Sequence, residues 1–176
     1  SNLEKHRTFA VSYDDGSIRL YYSTTEKLLL EIEDMSGNIL ISGSYIATDV
    51  WDSIETDDTT KNFVKNVLKY EWRTNKASKT GYVKAVQSPY KFGGEFSFHT
   101  IPNEYSYTSE SPDGIEPSGE GAWTIFRYKD NNISAGVAYK GSYKVVSFGF
   151  PVETIKNKTE MEELLKSVLL FFNENK

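Results

Sequence analysis

Three side chains of this sequence have the chemistry that a catalytic site requires: Ser44, His99 and Glu153. Ser44 follows the apolar run 39–41 and a Ser-Gly pair, and a serine on a sharp turn after a strand can act as a nucleophile. His99 shares the polar face of an alternating segment with Glu95, and a His–carboxylate pair can act as a general acid or base. Glu153 follows a glycine turn after a second apolar run, where α/β folds place ligands.

Each of these residues also has a structural interpretation. The segment after Gly43 lacks the second glycine of a nucleophile elbow, and no base is adjacent to Ser44 in the sequence. We therefore predict that Ser44 is a turn residue that leaves a buried strand and caps the helix beginning in YIATDVWD. A carboxylate such as Glu153 more often holds its own turn through backbone amides. The sequence names no catalytic residue beyond these weak candidates.

Five further residues are weak candidates for ligand binding. Exposed tyrosines suit carbohydrate or protein contacts, and a long loop rich in them could be a lid or a packed covering over a sheet edge. An arginine could neutralise the carboxylate of a uronate, although a structural ion pair is the alternative for both Arg73 and Arg127. The acidic residues after position 44 match no metal-binding loop and are typical of a solvated edge. The candidates are Tyr45, Asp49, Tyr105, Tyr107 and Arg127.

The composition excludes several classes of function. The chain of 176 residues has no cysteine, so it has no thiol nucleophile, disulfide or thiolate metal site. A net charge of −5 and the lack of a Lys/Arg cluster argue against nucleic-acid binding. No apolar run approaches the ~20 residues of a membrane helix, and SNLEKHRTFA is not a signal peptide. The sequence contains no phosphate-binding loop, dinucleotide fingerprint or metal motif, and we expect no cofactor and no metal.

The first half of the sequence alternates between strand and helix patterns. Residues 7–23 predict two strands around a turn at 14–16, and residues 25–37 predict a helix with apolar residues at helical spacing. The run 39–42 predicts a buried strand. Residues 59–70 predict a second helix with Phe63, Val64, Val67 and Leu68 facing inward.

The second half predicts mostly strands and one helix. Strands are expected at 82–86 and 90–99, a long loop at 101–121, and then an antiparallel run of three strands at 122–129, 134–140 and 143–150. The final helix is expected to start in a capping box formed by Thr159 and Glu162. Its predicted buried residues are Met161, Leu165, Val168 and Phe172.

Several segments in order resemble a known family. They are GNILISGSYIATD, FVKNVLKYEWRTNKASKTG, SPDGIEP, AWTIFRYKDNNISAGVAYKG and YKVVSFGFPVETI, followed by LLFF. This ordered set resembles a domain of large exported Bacteroidetes proteins labelled xanthan lyase-like. That domain is similar to the class I glutamine amidotransferase-like fold, which is flavodoxin-like. The resemblance covers roughly residues 25–172.

The resemblance implies a fold and a function. The expected fold is a three-layer α/β sandwich whose mixed sheet has antiparallel C-terminal strands, in one domain of residues 1–176 that could be a piece of a larger multidomain protein. Because the chain has no cysteine, amidotransferase activity is excluded. The expected function is a non-catalytic accessory or interaction domain of an exported, polysaccharide-related protein, with carbohydrate or neighbouring protein domains as partners. The alternative is a carbohydrate-active enzyme, a polysaccharide lyase or serine hydrolase, with a site near Ser44 and Glu153.

Overall fold

A computed structural model describes residues 7–12, 18–23, 37–52, 58–101, 109 and 111–174. Its ten strands are β1 (Arg7–Ser12), β2 (Ile18–Ser23), β3 (Asn38–Ser42), β4 (Tyr70–Thr74), β5 (Tyr82–Ala85), β6 (Glu95–Ser97), β7 (Gly114–Pro117), β8 (Ala122–Tyr128), β9 (Ser134–Lys140) and β10 (Lys144–Phe148). Its helices are α1 (Thr48–Trp51), α2 (Asp58–Phe63), which continues into a π-helical turn at Val64–Leu68, and α3 (Lys158–Asn173), preceded by a 3₁₀ turn at Val152–Thr154.

Eight strands form one mixed sheet in the order β2-β1-β3-β10-β9-β8-β5-β6, and β4 pairs with β7 in a separate antiparallel ribbon. Among the described strands, β3 and β10 make the one parallel pair, with Ile39 opposite Val145 and Ser42 opposite Phe148. The run from β8 to β10 is antiparallel, which confirms that prediction. The protein is therefore an α/β protein with a mixed sheet.

The sheet buries apolar residues on both faces at β3. Because successive side chains of a strand point to opposite faces, Ile39 and Ile41 enter one apolar cluster while Leu40 enters another. The first cluster contains α1, the π-helical turn and the β4–β7 ribbon, and the second contains α3. A strand covered on both faces reads as an uninterrupted apolar run, so the prediction of a buried strand at this position is confirmed.

The last helix differs from its prediction in its cap and in its buried face. Asn157 caps α3 by accepting hydrogen bonds from the amides of Thr159 and Glu160, so the predicted capping box at Thr159 is wrong. Val168 and Phe172 are buried as predicted, and Leu164 and Phe171 complete the buried face, while Met161 and Leu165 are only partly buried. The apolar pattern of this helix is broad enough to fit two neighbouring centres, and packing against the sheet selects one of them.

Two boundaries in the middle of the chain were predicted wrongly. Tyr70 was assigned to a helix, but the helix ends where Lys69 takes a left-handed conformation, and Tyr70 begins β4. The segment 101–121 was assigned to a loop, but it contains β7. Ile115 of β7 is fully buried and pairs with Trp72 of β4, so tertiary packing overrides the turn-like composition.

The remaining predictions of secondary structure are confirmed in some segments and not in others. Residues 7–12 and 18–23 form the predicted antiparallel pair, while the turn at 14–16 and the helix at 25–36 lie outside the described residues. Residues 58–68 are helical, and Val64 and Leu68 are buried as expected. The segment 90–99 contributes only the short strand β6, although Phe92, Phe96 and Phe98 are buried.

Candidate functional site

The carboxyl ends of β3 and β10 lie side by side. The two strands are parallel, so the turns that follow Ser42 and Phe148 leave the sheet at the same edge. The amide of Gly43 donates to the Phe148 carbonyl at 3.4 Å, and the amide of Val152 donates to the Ser42 hydroxyl at 3.4 Å. In α/β proteins this edge is the usual place for a ligand, so it is the candidate site here.

Ser44 lies in the turn between β3 and α1, as predicted. Its hydroxyl is 2.8 Å from the hydroxyl of Ser109. It does not cap α1, because the N-cap of that helix is Ala47 and the helix amides are bound by another residue. The capping prediction for Ser44 is therefore wrong, and the hydroxyl has a long-range partner instead of a local one.

Asp113 performs the capping from a distant part of the chain. Its Oδ2 accepts hydrogen bonds from the amides of Ala47 at 2.7 Å and Thr48 at 3.1 Å, and its Oδ1 accepts one from the Thr48 hydroxyl at 2.6 Å. The Thr48 hydroxyl in turn accepts a hydrogen bond from the indole of Trp72 at 3.0 Å. Asp113 is fully buried, so these donors replace the water that the carboxylate loses.

The backbone of Asp113 is equally constrained. Its amide donates to the Gly149 carbonyl at 2.6 Å, and its carbonyl accepts a hydrogen bond from the buried hydroxyl of Tyr128 at 2.8 Å. A Cβ atom on Gly149 would lie 2.1 Å from the Asp113 carbonyl oxygen, so only glycine permits this approach. Asp113 thus connects the end of β10 to the start of α1.

Burial raises the pKa of Asp113 to about 6 from an ordinary value of 3.8. The hydrogen bonds from Thr48 and Ala47 act in the opposite direction, and the neighbouring charge of Asp49 adds to the rise. A carboxyl group with such a pKa can exchange a proton near neutral pH. All three hydrogen bonds to its side chain nevertheless come from Ala47 and Thr48 at the start of α1, which is a structural use of the group.

Sequence reasoning missed Asp113 as a site residue. It is 65 residues from its helix along the chain, and local capping patterns extend over only three or four residues. The sequence signal that could have drawn attention to it is the Pro-Asp-Gly triplet at 112–114, which is typical of a constrained turn.

Backbone hydrogen bonds bring the other candidate residues towards the same edge. The Ser109 amide donates to the His99 carbonyl at 3.0 Å, and the His99 amide donates to the Thr154 carbonyl at 2.9 Å. Thr154 is the neighbour of Glu153, which is exposed. Within the described residues, no hydrogen bond joins the Ser44 hydroxyl to the imidazole of His99, which is the contact that a serine nucleophile and its base require.

The ligand-binding candidates that the structure describes lie in two places. Tyr45, half-buried with a φ of 63°, and Asp49 in the first turn of α1 lie near the edge just described. Arg127 lies on β8 and donates to the Asn132 carbonyl at 2.8 Å. Tyr105 and Tyr107 lie outside the described residues. Arg73 forms an ion pair with Glu116 at 3.0 Å, which is the structural use expected for it.

Three further findings concern metal binding, membrane spans and similarity to known proteins. No group of three or more His, Asp or Glu side chains that could hold a metal ion occurs in the described part of the chain. None of the helices in the described ranges is long and apolar enough to span a bilayer. No protein-family model matches the sequence, and comparisons with curated proteins and with solved structures yield no significant match.

Proposed function

We propose that this chain is a non-catalytic accessory or interaction domain of an exported, polysaccharide-related protein of the xanthan lyase-like kind. The resemblance to that family is the reason for proposing both the link to polysaccharides and the export of the protein. The same proposal assigns the α/β fold to a modified amidotransferase-like, flavodoxin-like type. The central parallel pair β3–β10, with a glycine directly after each strand, supports that assignment.

The observation that carries the non-catalytic proposal is the pairing of Ser44 with Ser109. A serine nucleophile must give its proton to a base, and a second serine hydroxyl is too weak a base to take it efficiently near neutral pH. The Ser44 hydroxyl lies 2.8 Å from such a group. The nearby carboxyl of Asp113 is fully buried and hydrogen-bonded to α1, so it is not presented to a substrate.

One observation favours the alternative of a carbohydrate-active enzyme. The backbone hydrogen bonds from Ser109 to His99 and from His99 to Thr154 place the segments of all three catalytic candidates at one edge. A lyase would use His99 as the base that removes a proton from a uronate, and a hydrolase would use Ser44 as its nucleophile. Both need a side-chain rearrangement that brings a base to the reacting group.

The two functions are separated by turnover measurements on wild type and on Ser44→Ala, His99→Gln and Glu153→Gln. The substrates are acyl esters and uronate polysaccharides, and the formation of unsaturated uronate is followed by absorbance. We expect no turnover by any of the four proteins. Wild-type turnover that is lost in a folded single variant, as judged by circular dichroism, would establish the enzyme and refute the accessory function.

A further inference from the structure

The outer face of the sheet at β5 and β6 carries an exposed aromatic ring. Val83 and Phe96 point into the core beneath α3 and are buried, so their neighbours point to the opposite face. Tyr82 is one of these neighbours and is 52% exposed. It pairs across the strands with Ser97, a small residue that leaves the ring accessible from that side.

Cationic residues are neighbours of Tyr82 on this part of the sheet. Lys84 lies on the same face as Tyr82 and is opposite Arg127 on β8 and Glu95 on β6. The ammonium group of Lys156 lies 5.8 Å from the centre of the Tyr82 ring. Lys129 follows β8, and its amide donates to the Tyr82 carbonyl at 2.9 Å.

The face also has a shallow pocket of about 320 Å³, lined by Thr80, Tyr82, Lys129 and Asp130. Asp130 fixes one wall, since it accepts hydrogen bonds from Ser78, from the Lys79 amide and from both the amide and the hydroxyl of Thr80. Burial alone would raise the pKa of Asp130, but these hydrogen bonds together lower it, so the group is charged near neutral pH. The pocket wall is therefore held in place before any ligand arrives.

The charge of this face is opposite to that of the protein. Four cationic side chains, Lys84, Arg127, Lys129 and Lys156, accompany two carboxylates, Glu95 and Asp130, while the whole chain has a net charge of −5. Lys129 and Glu95 form an exposed ion pair at 2.9 Å, which is weak in water and can be exchanged for a ligand. The face therefore offers positive charge around an aromatic platform.

We propose that this Tyr82 face (Tyr82, Lys84, Arg127, Lys129 and Lys156) binds an acidic carbohydrate chain. The apolar C–H face of a sugar packs on the phenol ring, the ligand carboxylate lies among the cations, and its hydroxyls meet Thr80 and the pocket wall. The inference rests on the proposed accessory function and deepens it by assigning the ligand surface. The centre of this face, Tyr82 on β5, lies four strands from β3 in the order of the sheet, so the proposed surface is not built on Ser44.

A nucleic acid is the less favoured polyanion. Its binding depends on neutralising many phosphates along a track, and log affinity falls steeply with log salt for each phosphate contacted. The described face has only four cations around one ring, which is too few for a track of phosphates. Two carboxylates, Glu95 and Asp130, also lie there. The hydroxyls of a uronate chain can donate hydrogen bonds to these carboxylates, whereas phosphate oxygens only accept hydrogen bonds, so a uronate chain fits this arrangement better.

The test measures binding of polygalacturonate oligomers, neutral dextran oligomers and single-stranded DNA to the full chain by titration calorimetry. We expect Tyr82→Ala to weaken polygalacturonate binding about tenfold. We expect Lys84→Gln and Lys129→Gln to weaken it about two- to fivefold each, with the loss shrinking at high salt. Lys166→Gln, on the exposed side of α3 beyond the opposite face of the sheet, is the matched control and should bind as wild type does.

The outcomes separate this inference from the proposed function. Polygalacturonate binding that Tyr82→Ala leaves unchanged would overturn the Tyr82 face and leave the accessory function intact. Equal binding of dextran, or tighter binding of DNA, would overturn the assigned ligand class. No polygalacturonate binding by wild type would also overturn the inference. Turnover by wild type would refute the non-catalytic function, while the binding loss in Tyr82→Ala would still support the face.

Discussion

At the scale of single residues, Asp113 shows two opposing effects on one carboxyl group. Burial favours the neutral acid, and the amides at the start of α1 together with the Thr48 hydroxyl favour the anion. Burial is the stronger effect, because the pKa is raised to about 6. The residue that organises this edge of the sheet is thus also sensitive to pH.

The first prediction concerns this pH sensitivity. Because the pKa of Asp113 rises from 3.8 to about 6 on folding, its contribution to stability is full below about pH 4 and is lost as the pH rises through 6. Relative to Asp113→Asn, wild type should lose about 2 kcal/mol of unfolding free energy between pH 4 and pH 7. Urea titrations at several pH values measure this difference, and two parallel pH curves would contradict it.

The second prediction concerns the serine pair. Ser44→Ala and Ser109→Ala should each lower the unfolding free energy by about 0.5–1.5 kcal/mol, because each removes the same hydrogen bond. The double variant should cost less than the sum of the two single costs, since the bond can be lost only once. Fully additive costs in a double-mutant cycle would show that the hydroxyls stabilise the fold independently.

The position of Ser44 in a turn could be predicted from the sequence, whereas the capping role of Asp113 could not. The reason is physical. A serine after an apolar run and a glycine belongs to a local pattern, so its place in a turn could be predicted. Its partner Ser109 is 65 residues away, and so is the helix amide that Asp113 binds. Such pairs depend on how the strands are arranged, which periodicity does not specify.

At the scale of elements, α3 is fixed at both ends and along one face. Asn157 binds the first amides, while the buried ammonium of Lys144 donates to the carbonyls of Phe171 at 2.7 Å, Phe172 at 3.3 Å and Glu174 at 2.7 Å. A cation at the carboxyl end of a helix satisfies the free carbonyls and complements the helix dipole. Its position on β10 attaches the end of the helix to the centre of the sheet.

The third prediction tests this end of the helix. Lys144→Met keeps the apolar stem and removes the ammonium, so it should cost about 1–3 kcal/mol of unfolding free energy. Lys166→Met, an exposed change within the same helix, is the control and should stay within about 0.5 kcal/mol of wild type. Chemical denaturation measures both, and equal stability of the two variants would refute a capping role for Lys144.

The fourth prediction tests the buried face of α3. Leu164 is 2% exposed, so Leu164→Ala should cost about 2–5 kcal/mol. Leu165 is only partly buried, and Leu165→Ala should cost about half as much. If Leu165→Ala proves the more damaging change in thermal unfolding, the helix is rotated towards the face that the sequence predicted.

At the scale of the whole molecule, the strands of the sheet should differ in how well their amides are protected from hydrogen exchange. β3, β10 and β9 lie inside the sheet between two apolar clusters, and β6 lies at its edge. The fifth prediction is that amides of the central strands exchange hydrogen only through global unfolding, while those of β6 exchange at least about tenfold faster. Hydrogen–deuterium exchange with mass spectrometry measures this, and uniform rates across the sheet would refute it.

The class of fold could be predicted from the sequence, but its detailed order could not. The apolar run at 39–42 and the three strands from 122 to 150 were visible as patterns, and the structure has them as β3 and β8–β10. The β4–β7 ribbon was not visible, because β7 lies in a segment with the composition of a turn-rich loop and Tyr70 of β4 continues the preceding helical pattern. The pairing of these two distant segments, and not their local composition, determines that they form strands.

The central parallel pair also affects how the chain can be made. β3 precedes its partner β10 by about a hundred residues, so on the ribosome one side of β3 has no partner until residues 144–148 emerge. During that interval an apolar strand with open backbone groups is exposed to other nascent chains. The feature that gives the finished sheet its covered centre therefore makes the unfinished chain prone to aggregation, and its yield in cells should depend on chaperones and on the speed of synthesis.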